Sequence, residues 1–413
     1  MFRHCTNRPF VLRRATATIA AAAAALTLGT AMPSWAQEAA EHRYLDPSQD
    51  ARFLPGPDSN TSLLFLRADT QIAGFRNVEA MVPVRHVRAG DDPRALPWVP
   101  RDFSELRYTV DGRSYDLEHF MAHNHVGGLL VLDHGEVVLE RYGLGNGPKT
   151  RWISFSMTKS VVSLLTGAAI RDGYIGSVDD PITDYLPQLE GSAYEGVRIR
   201  HVLQMASGVA WDEDYDDPES DVASSPGEIL ALMQYMGDKP RVAEPGERFN
   251  YNTGETNLAG AIVRAAIGNN LAAYLTRTIW QPWGMAHDAT WMAHGRHGGE
   301  WGGCCISPTL RDWGRLALFV LNDGVLDDGT RVLPEGWIAE STAPSPAAEY
   351  YGYLWWLEDG SAFRASGIFG QGIYLDPDED LAIVVQSAWP QATGEPFESH
   401  RDAFFRAVER HLR

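Results

Sequence analysis

The chain has 413 residues, 44% of them hydrophobic and 22% charged, with 54 Asp and Glu against 35 Lys and Arg and only 3 Cys. That balance describes a folded globular protein and excludes a collagen, a disulfide-stapled miniprotein and an extended disordered chain. A formal charge of −19 argues against a nucleic-acid partner, because an acidic surface repels phosphates instead of releasing their counterions.

Residues 1–36 stand apart from this balance. Arg3, Arg8, Arg13 and Arg14 form a basic start without an acid, Ala15 to Ala31 is an apolar run, and Ser34-Trp35-Ala36 supplies small residues around a cut after Ala36. This is the layout of a secretory signal peptide, so the mature chain is expected to be exported to the periplasm with no membrane anchor left. The run is short and Ala-rich for a membrane span. Arg13-Arg14 lacks the following Phe-Leu of a twin-arginine signal, which favours the general secretory route. Removal of the four arginines takes the charge from −19 to −23. Cys5 leaves with the signal, and the remaining cysteines are the neighbours Cys304 and Cys305, expected to be reduced and buried because joining adjacent residues restricts the peptide between them.

Residues 37–100 read as a loop-rich arm, broken by Pro47, Pro55, Pro57, Pro83, Pro93, Pro97 and Pro100. Tyr108 to Tyr115 has a strand-turn pattern. Leu129 to Leu132, the turn Asp133-His134-Gly135 and Val137 to Tyr142 read as a β-hairpin. From Ser156 a helix with buried Val161, Val162, Leu164, Leu165, Ala168 and Ala169 runs to Asp172-Gly173. Residues 175–345 are mainly helical. Strands return at Ala362 to Leu375 and Leu381 to Ser387, joined by the turn Asp376 to Asp380, before a helix from Ser399 to Leu412. The expected fold is therefore α+β, an antiparallel sheet built from the N- and C-terminal parts, flanked by helices and carrying a mainly helical inserted subdomain, all within residues 101–413.

Chemistry concentrates at Ser156-Met157-Thr158-Lys159, where positions i and i+3 share one helix face at an N-terminus rich in free N–H groups. A lysine desolvated there has a lowered pKa and accepts a proton from serine. Tyr251, in Asn250-Tyr251-Asn252-Thr253, is expected to lose its proton more easily beside a lysine ammonium and so to act as a base toward Ser156. In Ala365-Ser366-Gly367-Ile368 the glycine permits close backbone approach, so that the Ile368 and Ser156 amides form an oxyanion hole.

These three elements, in this order, resemble the serine β-lactamase and penicillin-binding-protein superfamily. Within it the chain is most similar to the class C-related esterases and amidases, above all the 6-aminohexanoate-dimer (nylon oligomer) hydrolase group. The resemblance runs from about Leu63 to the C-terminus, with Val178 to Ile182, Val202 to Gly208, Trp211 to Tyr215, Gly302-Gly303 and Leu310 to Asp312 in support. It implies Ser156 as nucleophile with Lys159 and Tyr251, and the amides of Ser156 and Ile368 as oxyanion donors. Tyr215, Ser366 and Gly367 become substrate contacts. The implied activity is cleavage of a small amide or ester through an acyl-enzyme, linear oligoamides included, without a cofactor. One departure matters: Ala365 stands where β-lactamases carry the Lys of K-T-G, which argues against efficient β-lactam turnover. A β-lactamase or D-Ala-D-Ala carboxypeptidase of the same superfamily is the alternative, and a non-catalytic binding protein on the same scaffold is disfavoured by the intact Ser156, Lys159 and Tyr251.

Other constellations read less well as sites. His294, His297 and Glu300 have a metal-like spacing, but Gly295, Gly298 and Gly299 break any helix that would hold them. The acidic stretch from Asp212 to Asp221 lacks the glycine of a calcium loop, and no G-x-S-x-G occurs. Trp152, Trp211, Trp291, Trp301, Trp355 and Trp356 suit either an apolar cleft or core packing.

Overall fold

The computed structural model describes residues 46–55, 62–66, 68–295 and 298–413. The signal-peptide region falls outside them. Strands are β1 Val84–Val87, β2 Tyr108–Val110, β3 Arg113–Tyr115, β4 Val126–Asp133, β5 Glu136–Tyr142, β6 Ala289–Met292, β7 Ile306–Ser307, β8 Trp356–Leu357, β9 Phe363–Gly367, β10 Gln371–Asp376 and β11 Leu381–Ser387. The longer helices are α1 Ala68–Arg76, α2 Leu117–His123, α3 Met157–Arg171, α4 Ile229–Gly237, α5 Thr253–Ile267, α6 Leu310–Leu321 and α7 Phe397–Leu412.

Six strands form one antiparallel sheet in the order β5-β4-β11-β10-β9-β8. The central pair β4 and β11 joins the two ends of the chain, Val131 opposite Ile383. Strand periodicity sorts its side chains onto two faces. Leu130, Leu132, Ala382 and Val384 enter the core shared with α3, α5 and α6, whereas Leu129, Val131, Ile383 and Val385 pack with Phe120 of α2 and Phe404 of α7. With both faces covered, β4 and β11 lose the polar alternation of a half-exposed sheet and are buried throughout. Phe120 and Phe404 stack at 3.8 Å, which locks the two outer helices together.

Two elements differ from the sequence reading. The arm is not all loop: α1 and β1 form within it, and β1 pairs with β6 of the helical region, Val84 opposite Met292. The run Ala362 to Leu375 is two strands, because the chain reverses at Ile368–Gly370, with Phe369 at φ 60° and Gly370 at φ 87°. A continuous apolar pattern cannot reveal a reversal whose only marks are one glycine and one strained aromatic residue. The helix α7 also begins two residues earlier than Ser399.

Candidate active site

Ser156 caps the N-terminus of α3, and the residues behind it, Met157 to Ala169, are all buried. A serine at this position ordinarily turns its hydroxyl onto the helix amides. Here it makes no such cap and is available to its neighbours. The preceding Phe155 takes φ 46°, a costly conformation for an aromatic residue. Phe75 and Phe369, each with ring centroids 5.1 Å from Phe155, hold it there.

Lys159 Nζ lies 2.9 Å from Ser156 Oγ, 2.9 Å from Thr253 Oγ1 and 3.1 Å from Gly303 O. Burial lowers its pKa to about 8, with the negative charge of Glu213 pulling the other way. The partner count assigns the proton traffic. Thr253 donates its hydroxyl hydrogen to Glu213 Oε1 and can only accept from Lys159. The two hydrogens of a neutral amine are then committed to Thr253 Oγ1 and Gly303 O, and its lone pair faces the Ser156 hydroxyl.

Tyr251 completes the corner, its ring centroid 5.1 Å from Lys159 Nζ and stacked 5.5 Å from Trp356. The expected lowering of its pKa is corrected. Burial and the charge of Glu213 hold the phenol well above its ordinary value, and hydrogen bonding with Ser156 only partly offsets them. Tyr251 therefore rests as a neutral phenol. The Glu213 carboxylate is the group that sequence reasoning missed. It accepts from the Thr253 amide at 2.9 Å, from the Tyr215 hydroxyl at 2.8 Å, and from Trp211 Nε1. Its signal was visible as an acid flanked by Trp211 and Tyr215 in an otherwise solvated-looking loop. Tyr215, expected as a substrate contact, donates its hydroxyl to Glu213.

On the opposite side, Gly367 lies against the segment leading into Ser156, and a Cβ there would overlap the Ser154 carbonyl oxygen. This close approach brings Ile368 beside the segment that carries Ser156. Ser366 alternates with Ala365 along β9, and its hydroxyl is buried without a hydrogen-bond partner among the described residues.

The remaining candidates disperse into structural tasks. His294 Nδ1 meets Gly227 O at 2.5 Å and its ring stacks on Trp301 at 4.1 Å, while Glu300 accepts from the Ala272 amide. His297 lies outside the described residues. Asp221 takes Lys239, Tyr235 and the Asp212 amide. Among the described residues no group of three or more His, Cys, Asp or Glu is arranged to hold a metal ion. Trp152, Trp291 and Trp355 belong to the core, Trp211 is buried but donates to Glu213, and Trp356 stacks on Tyr251. Cys304 and Cys305 bring their two sulfurs into direct contact, in a segment anchored at Gly303 and at Ile306.

A two-faced antiparallel sheet with a Ser-x-x-Lys helix packed on one face is the architecture of the β-lactamase superfamily of hydrolases. The Beta-lactamase family model matches residues 116–405, and the chain belongs to that family. It is 30% identical over 301 residues to the 6-aminohexanoate-dimer hydrolase of Paenarthrobacter ureafaciens, covering 67% of this chain and 76% of that protein. Among solved structures, a putative 6-aminohexanoate-dimer hydrolase from Bacillus anthracis superposes with a TM-score of 0.76 at 20% identity, over 87% of this chain and 99% of that one. A penicillin-binding protein from Bacillus halodurans matches at a TM-score of 0.56 and 20% identity, over 71% and 98%.

Proposed function

We propose that the protein is an exported serine hydrolase that cleaves small amide or ester bonds through an acyl-enzyme on Ser156, with short linear oligoamides such as 6-aminohexanoate dimer as the substrate class. The observation that carries this reading is the buried Lys159 Nζ, 2.9 Å from Ser156 Oγ, with its pKa lowered to about 8. Near neutral pH a minor but sufficient fraction of the lysine is neutral, and in that form its lone pair takes the serine proton as Ser156 attacks the carbonyl. The Ser156 and Ile368 amides receive the oxyanion. Tyr251, which keeps its proton at rest, passes it to the leaving amine or alkoxide and is restored as water attacks the acyl-enzyme.

Substrate selection follows from charge. Ala365 leaves the site without the cation that would grip a substrate carboxylate, and Glu213 adds a negative charge beside the reacting groups. The site therefore suits neutral or amine-bearing substrates better than β-lactams. Export rests on the basic start and apolar run of residues 1–36, and a periplasmic fraction whose N-terminus begins at Gln37 is its test. For the chemistry, intact-mass measurement after mixing with p-nitrophenyl esters, linear oligoamides and a chromogenic cephalosporin should trap an acyl adduct on Ser156 from the first two. Turnover of the cephalosporin at rates near those of the esters would instead favour the β-lactamase alternative.

A further inference from the structure

The adjacent cysteines have no part in the acyl transfer, yet they sit in a segment fastened at both ends to the catalytic helix. On one side Gly303 O receives Lys159 Nζ at 3.1 Å, and the Gly303 amide donates to Asn257 Oδ1 at 2.9 Å. On the other, the Ile306 amide donates to Ser154 Oγ and Thr158 Oγ1, both at 2.9 Å, and these residues bracket Ser156. Gly303 is also wedged against α5, where a Cβ would come within 2.7 Å of Thr253 Cγ2. Cys305 is fully buried among Trp152, Phe155 and Ile368, while Cys304 is only partly covered.

From this geometry we infer that Cys304 and Cys305 are a redox modification site that sets the catalytic lysine, the disulfide being the active state. The inference rests on the role of Lys159 proposed above. The two sulfurs meet, and a bond between them closes a small ring that restricts the backbone between the Gly303 and Ile306 anchors. Reduction releases that restriction next to one of the two acceptors that orient the Lys159 amine. The reagent class is a thiol–disulfide exchange partner, either a small dithiol or disulfide or an exported oxidoreductase. In the oxidising direction the Cys304 thiolate, the more accessible one, attacks an external disulfide RSSR, expelling one RSH and forming Cys304–S–SR. The Cys305 thiolate then attacks the Cys304 sulfur and expels the second RSH. The sum is protein dithiol plus RSSR to protein disulfide plus two RSH, and reduction is the reverse, with the incoming thiolate attacking Cys304.

The test uses the full chain carrying Cys5→Ser, purified without reductant and alkylated under denaturing conditions before and after dithiothreitol. The tryptic peptide 297–311 should carry no alkyl group before reduction and two after it. On reduction, turnover of a p-nitrophenyl ester should fall about tenfold on its high-pH plateau as the amine loses its fixed orientation. The acid limb of the pH profile should move down by about one unit, as the ammonium form loses one charged hydrogen bond. Cys304→Ser, a substitution at the partly exposed position, should show the reduced profile with or without dithiothreitol. Free thiols in the peptide before reduction, or identical pH profiles for the two redox states, would overturn the inference. Loss of all esterase activity in both states, with the disulfide present in the peptide, would count against the catalytic reading instead.

Discussion

Two clusters of potential cations are packed against opposite faces of the sheet, and burial acts on both in the same direction with different consequences. At the catalytic corner Lys159 is fully enclosed and its pKa falls to about 8, yet it keeps three acceptors and the field of Glu213. On the far face His119 and His123 of α2 meet His400 of α7, with ring centroids between 4.1 and 5.5 Å apart. There His400 is pushed down to about 4 by burial and by the neighbouring His123 and His119, despite Glu395 and Asp111; its Nδ1 is 3.0 Å from the Tyr108 hydroxyl. His123 is lowered too, by burial and by His119 and His125. A carboxylate beside a buried cation leaves it poised between two protonation states, which is a catalytic asset. Cations surrounded chiefly by their own kind stay neutral and become a liability in acid.

Replacements at the catalytic corner should have the largest effects. Ser156→Ala is expected to reduce hydrolysis of p-nitrophenyl esters by about a thousandfold or more with an unchanged melting temperature; retention of full activity would remove the nucleophile assignment. Tyr251→Phe, which deletes only the proton donor, should lower kcat by about a hundredfold and leave KM little changed, most severely for amides with poor leaving groups. The charge of Glu213 is tested by Glu213→Gln. Activity of the parent enzyme should rise with pH through about 8 as Lys159 deprotonates, and the variant's limb should lie about one unit lower because the stabilising carboxylate charge is gone. An unmoved limb would detach Glu213 from the lysine.

The histidine face should give the smallest effect, in stability rather than rate. Because the folded-state pKa of His400 is depressed from 6.5 to about 4, its contribution is complete above pH 6.5 and is lost as pH falls through that window. The loss should be on the order of 2 kcal/mol, read as a lower urea midpoint at pH 4.5 than at pH 7. His400→Gln should flatten that slope while leaving esterase activity intact. A slope equal in both proteins would place the acid sensitivity in the carboxylates instead.

Much of this was legible in the chain because it is local. Helix periodicity fixes Ser156 and Lys159 on one face whatever surrounds them, and the strand patterns at Leu129–Leu132 and Leu381–Ser387 already required a buried sheet. The reversal at Ile368 was hidden, since the apolar pattern continues through it and the turn is held by tertiary packing of Phe369 against Phe75 and Phe155 and by Gln371 Nε2 donating to the Ile368 and Phe369 carbonyls.

The sequence by itself determined the pairing of Ser156 with Lys159 on one helix face and the α+β framework, both of which follow from residue type and short-range spacing. Tertiary structure alone decided which proton each group holds. Glu213, Thr253 and Gly303 converge on Lys159 from three separate segments, and burial, with the charge of Glu213 added to it, reverses the direction expected for Tyr251. Electrostatic energy depends on distance and burial in space, and neither is written in the separation of residues along a chain.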